Sequence, residues 1–200
     1  MTQPHKEYVK EVVDHFVDIY KLNLDPYYRA YEIWFEKKLV SEIVVDFLRK
    51  VNIPANIRIQ KVSKLPSLGI NRKTYGMIHL IEENGRPMLF CSPSFKSERF
   101  LIEIHEDCYK SFPLFITTLI HELSHLVLYS THNRYRESEV ATDLFVICFG
   151  LFDHIKSGGA DEYITEEQVV FAQQYVRLKR QLMKAKGFEK LLLKIRIHAL

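Results

Sequence analysis

Residues 119–130 read Leu-Ile-His-Glu-Leu-Ser-His-Leu-Val-Leu-Tyr-Ser, and three of them, His121, Glu122 and His125, have types and spacing that can do chemistry together. Imidazoles four residues apart on a helix lie one turn above the other, so both can grip one ion from the same side. Glu122 is turned about 100° from His121, where its carboxylate reaches a water on that ion rather than the ion itself. This is the His-Glu-x-x-His spacing of metal-assisted hydrolysis. The rest of the stretch is aliphatic, which predicts a largely buried helix over about 113–130 with Thr117, Thr118, His121, Glu122 and His125 as its polar stripe. A polar stripe in a core must be satisfied, and for His121, Glu122 and His125 a single metal site supplies one answer in place of three separate hydrogen-bonding solutions.

Two histidines are too few, because a catalytic zinc takes three protein ligands and keeps a fourth position open. A third histidine of the His-x-x-Gly-x-x-His kind fails: Leu128 stands where the glycine belongs and Thr131 where the histidine belongs, with His132 one place out of register. The alternative is a carboxylate from the next helix. The stretch 136–143 supplies Glu139 with Asp143 one turn later on the same face, and Glu137 is the competing carboxylate.

His-Glu-x-x-His followed by Ser138-Glu139-Val140-Ala141-Thr142-Asp143 resembles the gluzincins, the thermolysin-like metallopeptidases in the broad sense. The resemblance implies zinc ligands at His121, His125 and Glu139, a general base at Glu122, and an orienting role toward a ligand histidine for Asp143. It implies a zinc-dependent metalloendopeptidase with a peptide or protein substrate. Ser138 replaces the asparagine usual in the family, and only thirteen residues separate His125 from Glu139, which is closer to compact minigluzincin and ImmA/IrrE-like proteins. Gly76-Met77-Ile78-His79-Leu80 is similar to their Gly-x-Ile-x-Leu strand. The likeness covers roughly residues 55–155. The oxyanion-binding residue has no matching motif; His132, Tyr135, His154 and Tyr163 are the downstream candidates. His5, His15, His79, His105 and His198 carry no ligand spacing.

The elements that must position this site are legible in outline. Periodic apolar residues predict helices over 5–21 and 26–50, the second capped by Asp25-Pro26 and ended by Asn52-Ile53-Pro54. Alternation predicts strands over 56–62, 75–81 and 100–105, with Asn84-Gly85 as a two-residue hairpin turn leading into 86–92. Further helices are expected over about 135–153, closed by Ser157-Gly158-Gly159, and over 165–186, opened by a Thr165/Gln168 capping box and stopped by Gly187. The expected fold class is α+β and zincin-like: a small central mixed sheet packed on the metal helix, N-terminal helices over 1–50, a core over 51–155, and a helical C-terminal extension over 156–200, all in one compact domain.

Composition narrows the remaining possibilities. Two hundred residues, 47% of them apolar, can bury a real core. Three widely spaced cysteines, Cys91, Cys108 and Cys148, form neither a disulfide framework nor a Cys-x-x-Cys zinc knuckle. The N-terminus lacks a basic segment leading into an apolar one, and the apolar runs fall short of the roughly 20 residues of a bilayer span, so the expectation is a cytoplasmic chain with no membrane span. The net charge of +3 names no polyanionic partner, and nucleic acid is not expected. Residues 177–200 nonetheless carry eight Lys or Arg against one acid, Glu189. That tail reads as a solvated helix face, as a docking segment for an acidic partner, a membrane or nucleic acid, or as a segment that folds over the cleft. A zinc-bound regulatory protein without peptidase turnover is the alternative from another functional class.

Overall fold

A computed structural model of the chain describes residues 6–20, 28–66, 74–151 and 164–198. Asp25-Pro26, His5, His154, the 157–159 loop and Tyr163 lie outside them. The fold class is α+β, with seven α-helices and a small mixed sheet among the described residues.

Helix α1 (Lys6–Tyr20) buries Val9, Val12, Val13, Phe16 and Tyr20 along one stripe. The single helix expected over 26–50 is instead two, α2 (Tyr28–Glu36) and α3 (Val40–Val51). Lys38 takes φ +58°, and the Leu39 and Lys38 N–H groups close on the Trp34 and Phe35 carbonyls at 2.7 and 2.9 Å. That is a Schellman stop built on a lysine, with no glycine or proline to announce it. Helix α3 ends the same way at Asn52, φ +56°.

The sheet has the order β1-β5-β2: β1 (Asn56–Val62) runs parallel to β5 (Arg99–His105), and the edge strand β2 (Gly76–His79) runs antiparallel to it. Phe100, Ile102 and Ile104 point inward from β5 and its other residues outward, as alternation requires. Asn84 and Gly85 both have positive φ, the type I′ geometry expected, but the hairpin they close is only β3 (Glu82–Glu83) with β4 (Arg86–Pro87), separate from the three-stranded sheet.

After a 3₁₀ turn over Glu106–Lys110 come α4 (Phe112–Ser130) and α5 (Glu139–Cys148). Helix α4 ends in a further Schellman stop with His132 at φ +51°. Helix α5 is shorter than expected at both ends: Ser138 caps its start by accepting the Ala141 N–H, and Gly150 at φ +96° turns the chain out after Cys148. Helix α6 (Glu166–Lys184) opens with the Thr165/Gln168 capping box, and α7 (Gly187–His198) follows it.

One apolar cluster runs from Val9 of α1 to Val176 of α6. Phe16 and Tyr20 pack edge-on against Phe145 of α5, and Phe35 of α2 packs on Phe112 and Phe115 of α4. Helix α4 is long and apolar enough to cross a bilayer by length and composition, but 61% of its apolar stretch is buried inside the molecule, the position of a core helix.

Candidate metal centre

Helix α4 places Thr118, His121, Glu122 and His125 on one stripe, and its aliphatic residues hold that stripe at a fixed depth against the core. Thr117 is not part of it; its hydroxyl donates back to the Pro113 carbonyl one turn earlier. Helix α5 begins beside the stripe, because Ser138 caps it there, and Glu139 in its first turn faces both histidines.

Three atoms converge. His121 Nε2 lies 3.1 Å from His125 Nε2 and 3.2 Å from Glu139 Oε2, and His125 Nε2 lies 3.3 Å from that same oxygen. Three donors each about 2.0–2.1 Å from a tetrahedral zinc stand about 3.3–3.4 Å apart, so this near-equilateral triangle has the size such an ion requires. The group could hold a metal ion. The donor set, two imidazoles and a carboxylate, also suits zinc chemically. Glu137 is not among them: it accepts from the Tyr129 hydroxyl at 2.7 Å and pairs with Arg136.

The histidine tautomer follows from what lies behind it. His121 Nδ1 is 2.8 Å from Asp143 Oδ1, so a neutral His121 donates its Nδ1 proton to the buried carboxylate and turns the Nε2 lone pair into the triangle. The four-residue offset of Glu139 and Asp143 on α5 produces this arrangement, with one carboxylate in front of the ring and one behind it. In the metal-free chain burial works against charge on His121, but its bonds to Asp143 and Glu139 outweigh that and hold its pKa well above the usual imidazole value. Burial likewise opposes charge on Glu139, and the bonds from His121 and His125 reverse it, holding the carboxyl well below its ordinary range.

Glu122 is buried beside the triangle. Burial raises its pKa above the usual carboxylate value, against the pull of the two histidines and of the Ile78 backbone N–H that donates to it. That bond comes from β2, and Gly76 on the same strand allows the approach. A Cβ at Gly76 would lie 2.6 Å from Thr118 Cγ2 and 2.9 Å from Glu122 Cγ and Oε1. The sequence marks Gly76-Met77-Ile78 as strand but not its contact with Glu122; the signal it offers is a glycine opening a short strand of otherwise large residues, Met77, Ile78 and His79.

Neighbouring elements brace the loop between α4 and α5. The Tyr8 hydroxyl of α1 bonds Ser138 at 3.1 Å, Tyr20 bonds Thr131 at 2.8 Å, and Asn133 donates to Tyr20 at 3.0 Å. Of the downstream oxyanion candidates, Tyr135 donates to Glu11 at 2.8 Å and His132 lies 3.4 Å from Arg136, so neither turns toward the triangle. His15, His79 and His105 are engaged away from it as well: His15 with Asn133, His79 with Glu103, and His105 as cap of the 3₁₀ turn. A separate cavity of about 830 Å³, lined in part by Arg49, Phe90, Cys91 and Lys96, contains none of the site residues.

Comparison with protein-family models, with curated proteins and with solved structures finds no match to this chain.

Proposed function

We propose that this chain is a zinc-dependent metallopeptidase of gluzincin type with a zincin-like core, and that His121, His125 and Glu139 hold the metal. The carrying observation is the triangle of His121 Nε2, His125 Nε2 and Glu139 Oε2, 3.1–3.3 Å on a side, with buried Glu122 next to it. A structural zinc site closes its coordination with four protein ligands, whereas three ligands plus an adjacent carboxylate is the catalytic pattern.

Zinc held by these three residues would supply a Lewis acid for a peptide carbonyl and lower the pKa of water toward about 7. Glu122 is placed to accept a proton from an attacking water and to hand it to the leaving nitrogen. Its burial beside the triangle, away from bulk water, supports that role. The Ile78 N–H holds the carboxylate still while the proton is in transit. Asp143 keeps the His121 lone pair directed at the ion. The substrate in this reading is a peptide in extended form, laid along the edge strand β2 and paired with its backbone.

The test is cleavage of an unstructured protein such as casein by the zinc-loaded chain. Chelation should stop it, and Glu122→Gln should abolish it while the bound metal stays. Turnover that persists in Glu122→Gln refutes the mechanism. A wild-type chain that holds zinc without cleaving, and whose ligand variants lose fold stability, is instead the regulatory zinc protein.

A further inference from the structure

We propose that the outer face of α7 docks on an anionic lipid surface. Phe188, Leu191, Leu192 and Ile195 are 72%, 53%, 46% and 58% exposed. Their three- and four-residue spacing makes one continuous stripe, about 100° wide on a helix turning 100° per residue. The opposite side of the same helix is already used: Leu193 and Ile197 pack against Leu178, Leu182 and Ala185 of α6 and its end. Helix α7 is therefore apolar on two opposed faces, one filled by the protein and one turned outward.

The seams between those faces decide what the outer face fits. Lys190 and Lys194 lie along one seam and Arg196 along the other, with Lys186 just before the helix, all exposed, against a single acid, Glu189. A second copy applied face to face would set both cationic rims against each other, so charge disfavours self-association. A nucleic acid would meet the cations and leave four large apolar side chains in water. An anionic bilayer satisfies both sets: the stripe sinks below the headgroups while the lysine and arginine stems extend to phosphate level. The surface is also a single convex helix rather than a groove, the shape an interface plane accepts. Because Leu193 and Ile197 stay packed on α6, docking leaves the fold intact.

The experiment is co-sedimentation of the full chain with vesicles of phosphatidylcholine containing about 30% phosphatidylserine, against phosphatidylcholine alone. Binding should be at least about tenfold stronger to the anionic vesicles and should fall in about 0.5 M salt. The double variant Phe188→Ser/Ile195→Ser and the double variant Lys190→Glu/Lys194→Glu should each lose at least about tenfold in vesicle affinity, with thermal stability unchanged because these side chains face outward. Absence of vesicle binding overturns the proposal, as does equal binding by Phe188→Ser/Ile195→Ser. A concentration-dependent dimer abolished by that variant also overturns it, in favour of a second copy.

Discussion

Gly76→Ala probes the contact between β2 and α4. The added Cβ would stand 2.6 Å from Thr118 Cγ2 and 2.9 Å from Glu122 Cγ and Oε1, where carbon atoms prefer about 3.5–4.0 Å. Relief requires a shift of roughly 1 Å. Thr118 cannot supply all of it, because a β-branched side chain in a helix has few rotamers to move into. Overpacking of this kind costs about 1–3 kcal/mol. Loss of glycine's freedom in the unfolded chain returns about 0.4–1 kcal/mol. The net is a destabilisation of about 1–2 kcal/mol, which for a chain of this size lowers Tm by roughly 2–8 °C. Thermal unfolding followed by far-UV circular dichroism measures it. Adding Thr118→Ser removes the closest methyl and should recover part of the loss, while the Glu122 contact keeps the remainder. Zinc content should be unchanged, because no ligand atom is among the near contacts. A Gly76→Ala chain as stable as wild type, with no response to Thr118→Ser, would show that β2 does not lie against α4 at this point.

Three further outcomes follow from the same geometry. Asp143→Asn removes the carboxylate behind His121 and should weaken zinc binding about 10–100-fold by competitive chelator titration, with the fold retained. In the proposed site zinc would displace the proton that Asp143 and Glu139 hold on His121, so affinity should rise with pH by up to about tenfold per unit above 6.5, and a flat pH profile would contradict this. Of the three thiols only Cys91 is exposed, and burial pushes Cys148 up to about 12; at pH 8 one thiol per folded chain should react rapidly with a thiol reagent, and three after unfolding.

Helix α4 was legible in the sequence because its signal is local: two histidines and a glutamate at helical spacing inside an aliphatic run. The capping box at Thr165 and the Asn84-Gly85 turn were legible for the same reason, since each is decided by a few adjacent residues. The helix stop at Lys38 was not, although the end of α4 at 130 was: Lys38 is an ordinary residue at positive φ, a choice imposed by packing around the loop rather than by local preference. The extent of the hairpin was also misread, because strand pairing over 75–92 depends on β5, a partner distant in sequence. At the site, the Glu139–Asp143 offset was readable from helical periodicity, while helical spacing alone left Glu137 as a competitor that the structure turns toward Tyr129 and Arg136. The Gly76 and Ile78 contacts with Glu122 were out of reach, since they depend on how closely a strand approaches a helix some forty residues later.

X-ray absorption at the zinc edge of the metal-loaded chain tests the central claim most directly. Coordination by His121, His125 and Glu139 gives a first shell of nitrogen and oxygen at about 2.0–2.1 Å with the outer-shell signature of two imidazoles, and one imidazole fewer in His125→Ala. Sulfur at about 2.3 Å, or a spectrum unchanged in His125→Ala, would place the metal elsewhere and contradict it.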